Sequence, residues 1–256
     1  MNLFLIFSYI FVFIFGLCIG SFLNCIIYRL ETKKSLEGRS FCPKCKKQLV
    51  WNDLIPVFSF LSLKGKCRYC QKKISCQYPL IEILTGLVFL LIFNQLQFSN
   101  LIGLLFLFYI VSSLIIIFVY DLKHYEIPDK VLIPAIIVAL IYCIVFNFSG
   151  ALNNLLAAFL AFSFFFSIFW FSKGKWMGFG DVKFAILIGL LLGTLNTLLA
   201  LFLAFFFGAI IGIILMISEK KGLKSEIPFG PFLVSGTILA LIWGPKIINW
   251  YLNLLT

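Results

Sequence analysis

Apolar runs of about twenty residues recur along this chain, and no other feature restricts its fold as much. They lie at roughly 3–27, 79–96, 101–120, 130–147, 152–172, 182–196, 197–217 and 230–252. A helix needs about 20 apolar residues to cross the hydrocarbon of a bilayer, so each run is a candidate span. The sixth is short and ends around Gly193-Thr194-Leu195-Asn196. Hydrophobic residues make up 62% of the chain and charged residues only 12%, against about 25% charged in soluble domains. The expected fold is an all-α integral membrane protein with about eight transmembrane helices in the lipid bilayer. The first run follows Met1-Asn2-Leu3, with no basic segment before it and no small-residue cleavage site after it. It reads as a retained helix rather than a secretory signal.

The net charge is +11, but its placement argues for membrane topology and against a nucleic-acid partner. With eight spans, the loops 28–78, 121–129, 173–181 and 218–229 share one side. Together with the helix-edge residues Lys130 and Lys183, that side carries every Lys and Arg of the chain except Lys246. The positive-inside bias puts these loops in the cytoplasm and both termini outside.

The first of these loops, from Tyr28 to Tyr78, is the one segment large enough to form a separate module. It carries Cys42-Pro43-Lys44-Cys45 and Cys67-Arg68-Tyr69-Cys70. Two CxxC pairs at this separation match a four-thiolate zinc site in which each pair forms a knuckle. So small and basic a loop buries little core, and a metal would supply its folding energy. Disulfides compete with this reading, but the cytoplasm keeps thiols reduced. A redox dithiol competes less well, since no thioredoxin-like βαβ unit is present. The expectation is a small cysteine-rich zinc-knuckle loop between helices 1 and 2, with Cys76 as a spare ligand. Cys18, Cys25 and Cys143 lie within spans and read as small buried apolar residues. The loop's cations need no specific ligand, because such loops fix orientation and lie against anionic headgroups.

Ahead of the loop, Gly16, Gly20, Ser21 and Asn24 recur near the helical period. Small and polar residues inside a membrane helix usually mark close helix packing. Glu82, just inside the second span, either pairs with a basic residue or snorkels to the interface.

Gly178-Phe179-Gly180-Asp181-Val182-Lys183 places a carboxylate where an apolar helix enters hydrocarbon. An ionisable group there is costly and is by default a functional candidate. The two glycines let another backbone approach, and they permit unusual φ/ψ. The plainer reading makes Asp181 a helix N-cap. Asp121 tips the balance, because it follows the third apolar run directly and emerges on the same side. In the segment Leu122-Lys123-His124-Tyr125-Glu126-Ile127-Pro128-Asp129 that follows, Asp129 after Pro128 is ordinary helix-opening chemistry. Glu126 reads as solvated, and His124 as a bridge between local polar groups. Farther on, the prolines of Glu226-Ile227-Pro228-Phe229-Gly230-Pro231 fix the start of the last span, with Glu226 facing the site as the alternative.

A single histidine rules out the two-histidine zinc protease motif and leaves a Ser-His-Asp triad possible only through His124. No glycine-rich phosphate loop follows a strand. What remains is a pair of aspartates at one membrane face. If their carboxyls meet, both cannot ionise easily and they share one proton. The ionised member can then deprotonate a water that attacks a peptide carbonyl, while the protonated member donates to the developing oxyanion.

The Gly178-Phe179-Gly180-Asp181-Val182-Lys183 stretch, together with Asp121 ahead of Ile127-Pro128-Asp129, resembles the prepilin peptidases (type IV leader peptidases), a GxGD class of membrane aspartic peptidase. Gly20-Ser21-Phe22-Leu23-Asn24, the double CxxC loop and Glu226-Ile227-Pro228-Phe229-Gly230-Pro231 resemble the same family in the same order. The likeness therefore runs through essentially the whole chain. It implies a catalytic pair, Asp121 and Asp181, supported by Gly178, Gly180 and Lys183, facing the cytoplasm from the bacterial inner membrane. It implies prepilin and pseudopilin substrates, serving type IV pilus, type II secretion or competence systems, with a short basic leader cut where it meets an apolar helix. Long-form members are also N-methyltransferases that use S-adenosylmethionine, an activity associated with the cysteine-loop region. Residues 1–96 would then be the methyltransferase-associated region and 97–256 a six-helix peptidase core. The loop holds Gly38 and Gly65 but no glycine-rich nucleotide turn, so no residue is assigned to the methyl donor. Structural zinc on Cys42, Cys45, Cys67 and Cys70 completes the expected cofactors, and proteolysis itself needs none. A basic leader gains nothing from overall steering by so cationic a face, so docking is expected to be local, through Glu126, Asp129, Glu219 or Glu226.

Two other classes compete. A non-enzymatic membrane scaffold would use the zinc knuckle to dock cytosolic partners and the aspartates as caps. A membrane thiol oxidoreductase would use the CxxC pairs and bind no metal. Neither accounts for two interfacial aspartates on one side.

Overall fold

The computed structural model of the chain describes residues 3–35, 37–97, 99–217 and 227–255; Glu219 and Glu226 lie outside the described residues. The chain divides into two compact units, Met1–Ile116 and Ile117–Thr256. Among the described residues seven helices are long and apolar enough to cross a membrane.

The first unit is built on α1 (Leu3–Glu31) and α3 (Gln77–Leu96). A Cβ on Gly16 would lie 2.7 Å from the Gly86 Cα, and one on Gly20 would lie 2.6 Å from the Glu82 Cα. The expected small-residue face of α1 is thus real, and its partner is α3. Tyr9 donates to Asn94 at one end of the seam (2.7 Å), and the Asn24 amide donates to the Tyr78 carbonyl at the other (3.1 Å), so the two helices run antiparallel. The first part of α4 (Leu101–His124) belongs to this unit, with Phe108 stacked on Phe89 at 4.0 Å between ring centroids. Between α1 and α3 lie the cysteine loop and the short α2 (Phe58–Ser62). Arg29, which the charge pattern grouped with the headgroup-facing cations, is buried instead. Its guanidinium donates to the carbonyls of Ser35, Glu37 and Gly38 and folds the start of the loop onto the end of α1. Cys143 is buried as expected, whereas Cys18 is exposed and Cys25 half-buried. Those two face outward from the helix, where lipid suits a thiol as well as a core does.

The second unit holds the end of α4 with α5 (Asp129–Phe146), α6 (Phe148–Ser172), α7 (Phe179–Ile217) and α8 (Gly230–Leu255). The 39 residues of α7 are two arms joined at Gly193, whose backbone is non-helical (φ 70°, ψ 178°). The first arm runs antiparallel to α6, since Phe179 meets Phe169, Gly189 packs on Ala158 and Gly193 reaches Asn153. A straight helix would carry Phe205 about 18 Å beyond Gly193. Instead Phe205 packs on Phe165 (6.2 Å), twelve residues back along α6, and on Phe229 (5.0 Å). The chain therefore doubles back at Gly193, so that among the described residues the seven helices supply eight apolar arms, as the apolar runs predict, with the sixth ending at Gly193 rather than Asn196. At about 1.5 Å per residue the first arm is about 21 Å long, short of the ~30 Å hydrocarbon slab. Irregular backbone at that depth must be satisfied by protein. Asn154 donates to the Leu190 backbone carbonyl (2.8 Å), and beside it the Thr194 hydroxyl donates to the Asn153 side chain (2.8 Å). α8 then runs antiparallel to the second arm, with Gly236 against Ala200 and Gly244 against Asn196.

Candidate active site

Asp121 sits in the last turn of α4 and is buried, 4% exposed. Immediately after the helix, Tyr125 adopts φ 59° and donates its N–H to the Asp121 carbonyl (2.9 Å). This left-handed residue turns the chain back, so that Ile127 crosses the start of α7. A Cβ on Gly180 would lie 3.1 Å from the Ile127 Cβ, so glycine is needed there for close approach. Neither Gly178 nor Gly180 has a positive φ, and the conformational freedom that the sequence suggested for them is not used.

Gly178 precedes the first helical residue of α7, which makes it the N-cap, and Asp181 is the third residue of the first turn. The Gly178 N–H faces the Asp181 carboxylate, in the position of the reciprocal half of a capping box. Asp181 therefore does cap its helix, from the third position rather than from the N-cap. It also lies within electrostatic reach of Asp121. Capping therefore does not keep this residue from lying beside a second carboxyl.

A third contributor escaped sequence reading. Gly230, the first residue of α8, points its N–H toward the Asp121 carboxylate, and a Cβ there would fall 2.5 Å from Asp121 Oδ2. The donor is one of the free N–H groups of a helix start, at the positive end of the helix dipole. The signal available in the sequence was the lone glycine inside Pro228-Phe229-Gly230-Pro231, which reads equally well as a rigid turn. Among the described residues Asp121 Oδ2 is buried without a hydrogen-bond partner.

Lys183 forms an ion pair with Asp129 and lies 5.5 Å over the Phe179 ring. Asp129 thus ties the start of α5 to the start of α7, beyond opening its own helix, and is engaged rather than free to meet a basic leader. Glu126 is exposed, as expected for a solvated acid. His124 is also exposed and packs on Tyr120 at 4.5 Å.

In the first unit the sulfurs of Cys42, Cys45, Cys67 and Cys70 all lie within 4.8 Å of one another. Two like-folded knuckles make the cluster. In each, the first cysteine N–H donates to a carbonyl five residues on (Lys47 or Lys72), and a left-handed residue (Lys46 or Gln71) follows the second cysteine. Isolated bridges Phe41–Gln48 and Lys66–Lys73 close the two hairpins. The Lys72 N–H pulls the Cys70 thiol down, but desolvation and hydrogen bonds from Cys67, Cys45 and Cys42 push it up to about 11. Four thiols so crowded hold negative charge poorly without a cation, and their number and spacing suit a tetrahedral ion with ~2.3 Å metal–sulfur bonds. Cys76 is exposed, lies outside the cluster and is no spare ligand.

Fold and site together define a class: a multi-pass helical membrane protein that gathers two carboxyls at one end of its helices and carries a four-thiol loop. Within that class the chain belongs to the type IV leader peptidase family, whose model matches residues 108–213, while the bacterial peptidase A24 N-terminal domain matches residues 14–96. It is 32% identical to a prepilin leader peptidase/N-methyltransferase of Aeromonas salmonicida (strain A449), over 94% of this chain and 93% of that protein. Proteins of the same description from Legionella pneumophila (32% identical, covering 96% of this chain and 95% of that protein) and Bacillus subtilis (strain 168) (32%, covering 94% and 97%) are similar over nearly their whole lengths. No solved structure matches the chain significantly.

Proposed function

We propose that this chain is a membrane aspartic endopeptidase that removes the short basic leader of prepilins and pseudopilins and then methylates the new N-terminus. The observation that supports the peptidase reading is that Asp121, from α4, and Asp181, from α7, lie within electrostatic reach of each other, where Asp121 keeps a buried oxygen without a partner. Two carboxyls in one poorly hydrated site share a proton. The ionised member takes a proton from water as the water attacks the scissile carbonyl. The protonated member donates to the oxyanion, and the proton then passes to the leaving amine. The Gly230 and Gly178 N–H groups orient the two carboxyls, and the Lys183–Asp129 pair holds the starts of α7 and α5 in register. The cationic loops support a cytoplasmic position for this end of the helices, in a bacterial cell.

Residues 97–256 act as the peptidase core and residues 1–96 as the methyltransferase-associated region. Cys42, Cys45, Cys67 and Cys70 would hold one zinc ion, whose role is to cross-link a loop with little core of its own. S-adenosylmethionine supplies the methyl group when bound. Neither the scaffold nor the thiol oxidoreductase gives the carboxyl pair a purpose, and the latter also leaves four thiols in one site rather than two separate pairs.

The test is the N-terminal mass of a prepilin co-expressed with the chain in membranes. Wild type is expected to remove a leader-sized mass and add a methyl group, whereas Asp121→Ala and Asp181→Ala leave the precursor whole. Cleavage by either variant at the wild-type rate would refute the assignment.

A further inference from the structure

A second polar site lies in the first unit, at the end of the α1–α3 seam that adjoins the cysteine loop. Glu82 is a buried carboxylate, 6% exposed, in an apolar helix. It neither snorkels nor pairs with a Lys or Arg among the described residues. Its hydrogen-bond partner is the Val57 N–H, at 2.7 Å, and the Ser21 hydroxyl lies within its electrostatic reach. A carboxylate offers about four acceptor sites, so capacity remains. Across the seam Asn24 is 2% exposed. Its Nδ2 donates to the carbonyls of Gly20 (3.2 Å) and Tyr78 (3.1 Å). Both partners are acceptors, and this settles which way the amide points. Asn24 Oδ1 is consequently a buried acceptor with no partner.

The strap over this site is strained. Val57, β-branched, stands at φ 61°, ψ −49°, a region such residues rarely visit. Outliers of this kind persist only where the surroundings over-determine them, and they concentrate at ligand sites. Val57 lies between the two cysteine pairs, so Glu82 grips the same loop that the four thiols cross-link.

An unfilled carboxylate, an orphaned amide oxygen and a hydroxyl form a set of acceptors without a cation. Their complement is a compact group with several N–H donors, and a primary ammonium has three. We propose that the Glu82, Ser21 and Asn24 cluster, at the loop end of the α1–α3 seam, receives the α-amino group of the mature pilin and is where that nitrogen is methylated. The proposal rests on the methyl-transfer reading given above. The ammonium passes one proton to the Glu82 carboxylate, which later yields it to water. The freed lone pair attacks the methyl carbon of a sulfonium donor. The N–C bond forms as the C–S bond breaks, and the electron pair leaves on sulfur as a neutral thioether. The product is a methylated ammonium whose two remaining N–H groups are held by Glu82 and Asn24 Oδ1.

The decisive variant is Glu82→Gln, which keeps an acceptor for the Val57 N–H and removes the charge and the base. Two readouts are taken on the full-length protein in detergent. One is the mass of the processed pilin. The other is the affinity for a mature-pilin N-terminal peptide with a free amine, against the same peptide N-acetylated. Wild type is expected to prefer the free amine by about tenfold or more, as befits hydrogen bonds to a charged group. Glu82→Gln is expected to lose both the preference and the methyl group while still removing the leader. Methylation and amine preference at wild-type levels in Glu82→Gln would overturn the proposal. If Glu82→Gln also stops removing the leader, Ser21→Ala decides: lost preference with intact cleavage supports the site, and retention of both overturns it. A wild type that adds no methyl group refutes the methyl-transfer reading alone, and the amine preference then decides the binding site by itself.

Discussion

Gly230→Ala is the substitution for which the structure sets the sharpest number. The added Cβ would fall 2.5 Å from Asp121 Oδ2, and ordinary contact begins near 3.4 Å. Either α8 or the Asp121 carboxyl must therefore retreat by about 1 Å, and the Gly230 N–H loses its aim. A misplacement of about 1 Å at reacting groups costs about a hundredfold in rate, or about 3 kcal/mol of barrier. The other two glycines calibrate this. At Gly180 the Cβ would meet the Ile127 Cβ at 3.1 Å, and the neighbour need give only a few tenths of an ångström. At Gly178 the nearest atom is Asp181 Oδ2 at 3.7 Å, which is ordinary contact. The expected order of damage is Gly230→Ala, then Gly180→Ala, then Gly178→Ala, the last within about threefold of wild type on the same rate scale. The assay is kcat for leader removal from a prepilin peptide by purified enzyme, with helical circular dichroism and peptide affinity as controls. Gly230→Ala cleaving within threefold of wild type, or Gly178→Ala failing as badly, would refute the reasoning.

Gly193→Ala puts a side chain at φ 70°, ψ 178° and 2.5 Å from Asn153 Nδ2; it should cost at least about 1–3 kcal/mol, read as a lowered midpoint of thermal unfolding in detergent. Lys183→Met and Asp129→Asn in a double-mutant cycle should couple by about 0.5–1 kcal/mol, since side-chain exposures of 24% and 53% leave the pair screened; zero coupling would deny it a positioning role. Metal analysis should find one zinc per chain, lost in Cys42→Ser or Cys67→Ser and kept in Cys76→Ser. Chelation should expose the loop 32–76 to proteolysis.

Spans and the cysteine module were legible in the sequence because each rests on a pattern local in the chain: unbroken apolar runs and paired CxxC steps. Asp121 and Asp181 were legible because a carboxyl at the edge of hydrocarbon needs a reason. What stayed hidden depends on contacts between distant elements. Gly230 reads as a turn residue until α8 is seen to end on Asp121. Asp129 reads as helix-opening until Lys183 reaches it from α7. Glu82 offered two partners, water or a cation, and took neither, because Val57 arrives from a strained loop that no propensity describes. Asp181 was posed as cap or functional group, a choice that dissolves once its neighbours on both sides are known.

The central claim is that Asp121 and Asp181 act as one unit. It is tested most directly by kcat for leader removal in Asp121→Asn, Asp181→Asn and the double variant, each nearly isosteric with wild type. If one shared proton carries the reaction, each single variant should lose about a thousandfold or more, and the double variant should be no worse than either, as groups that work together behave. Losses that multiply in the double variant, or a single variant that cleaves at the wild-type rate, would contradict the account.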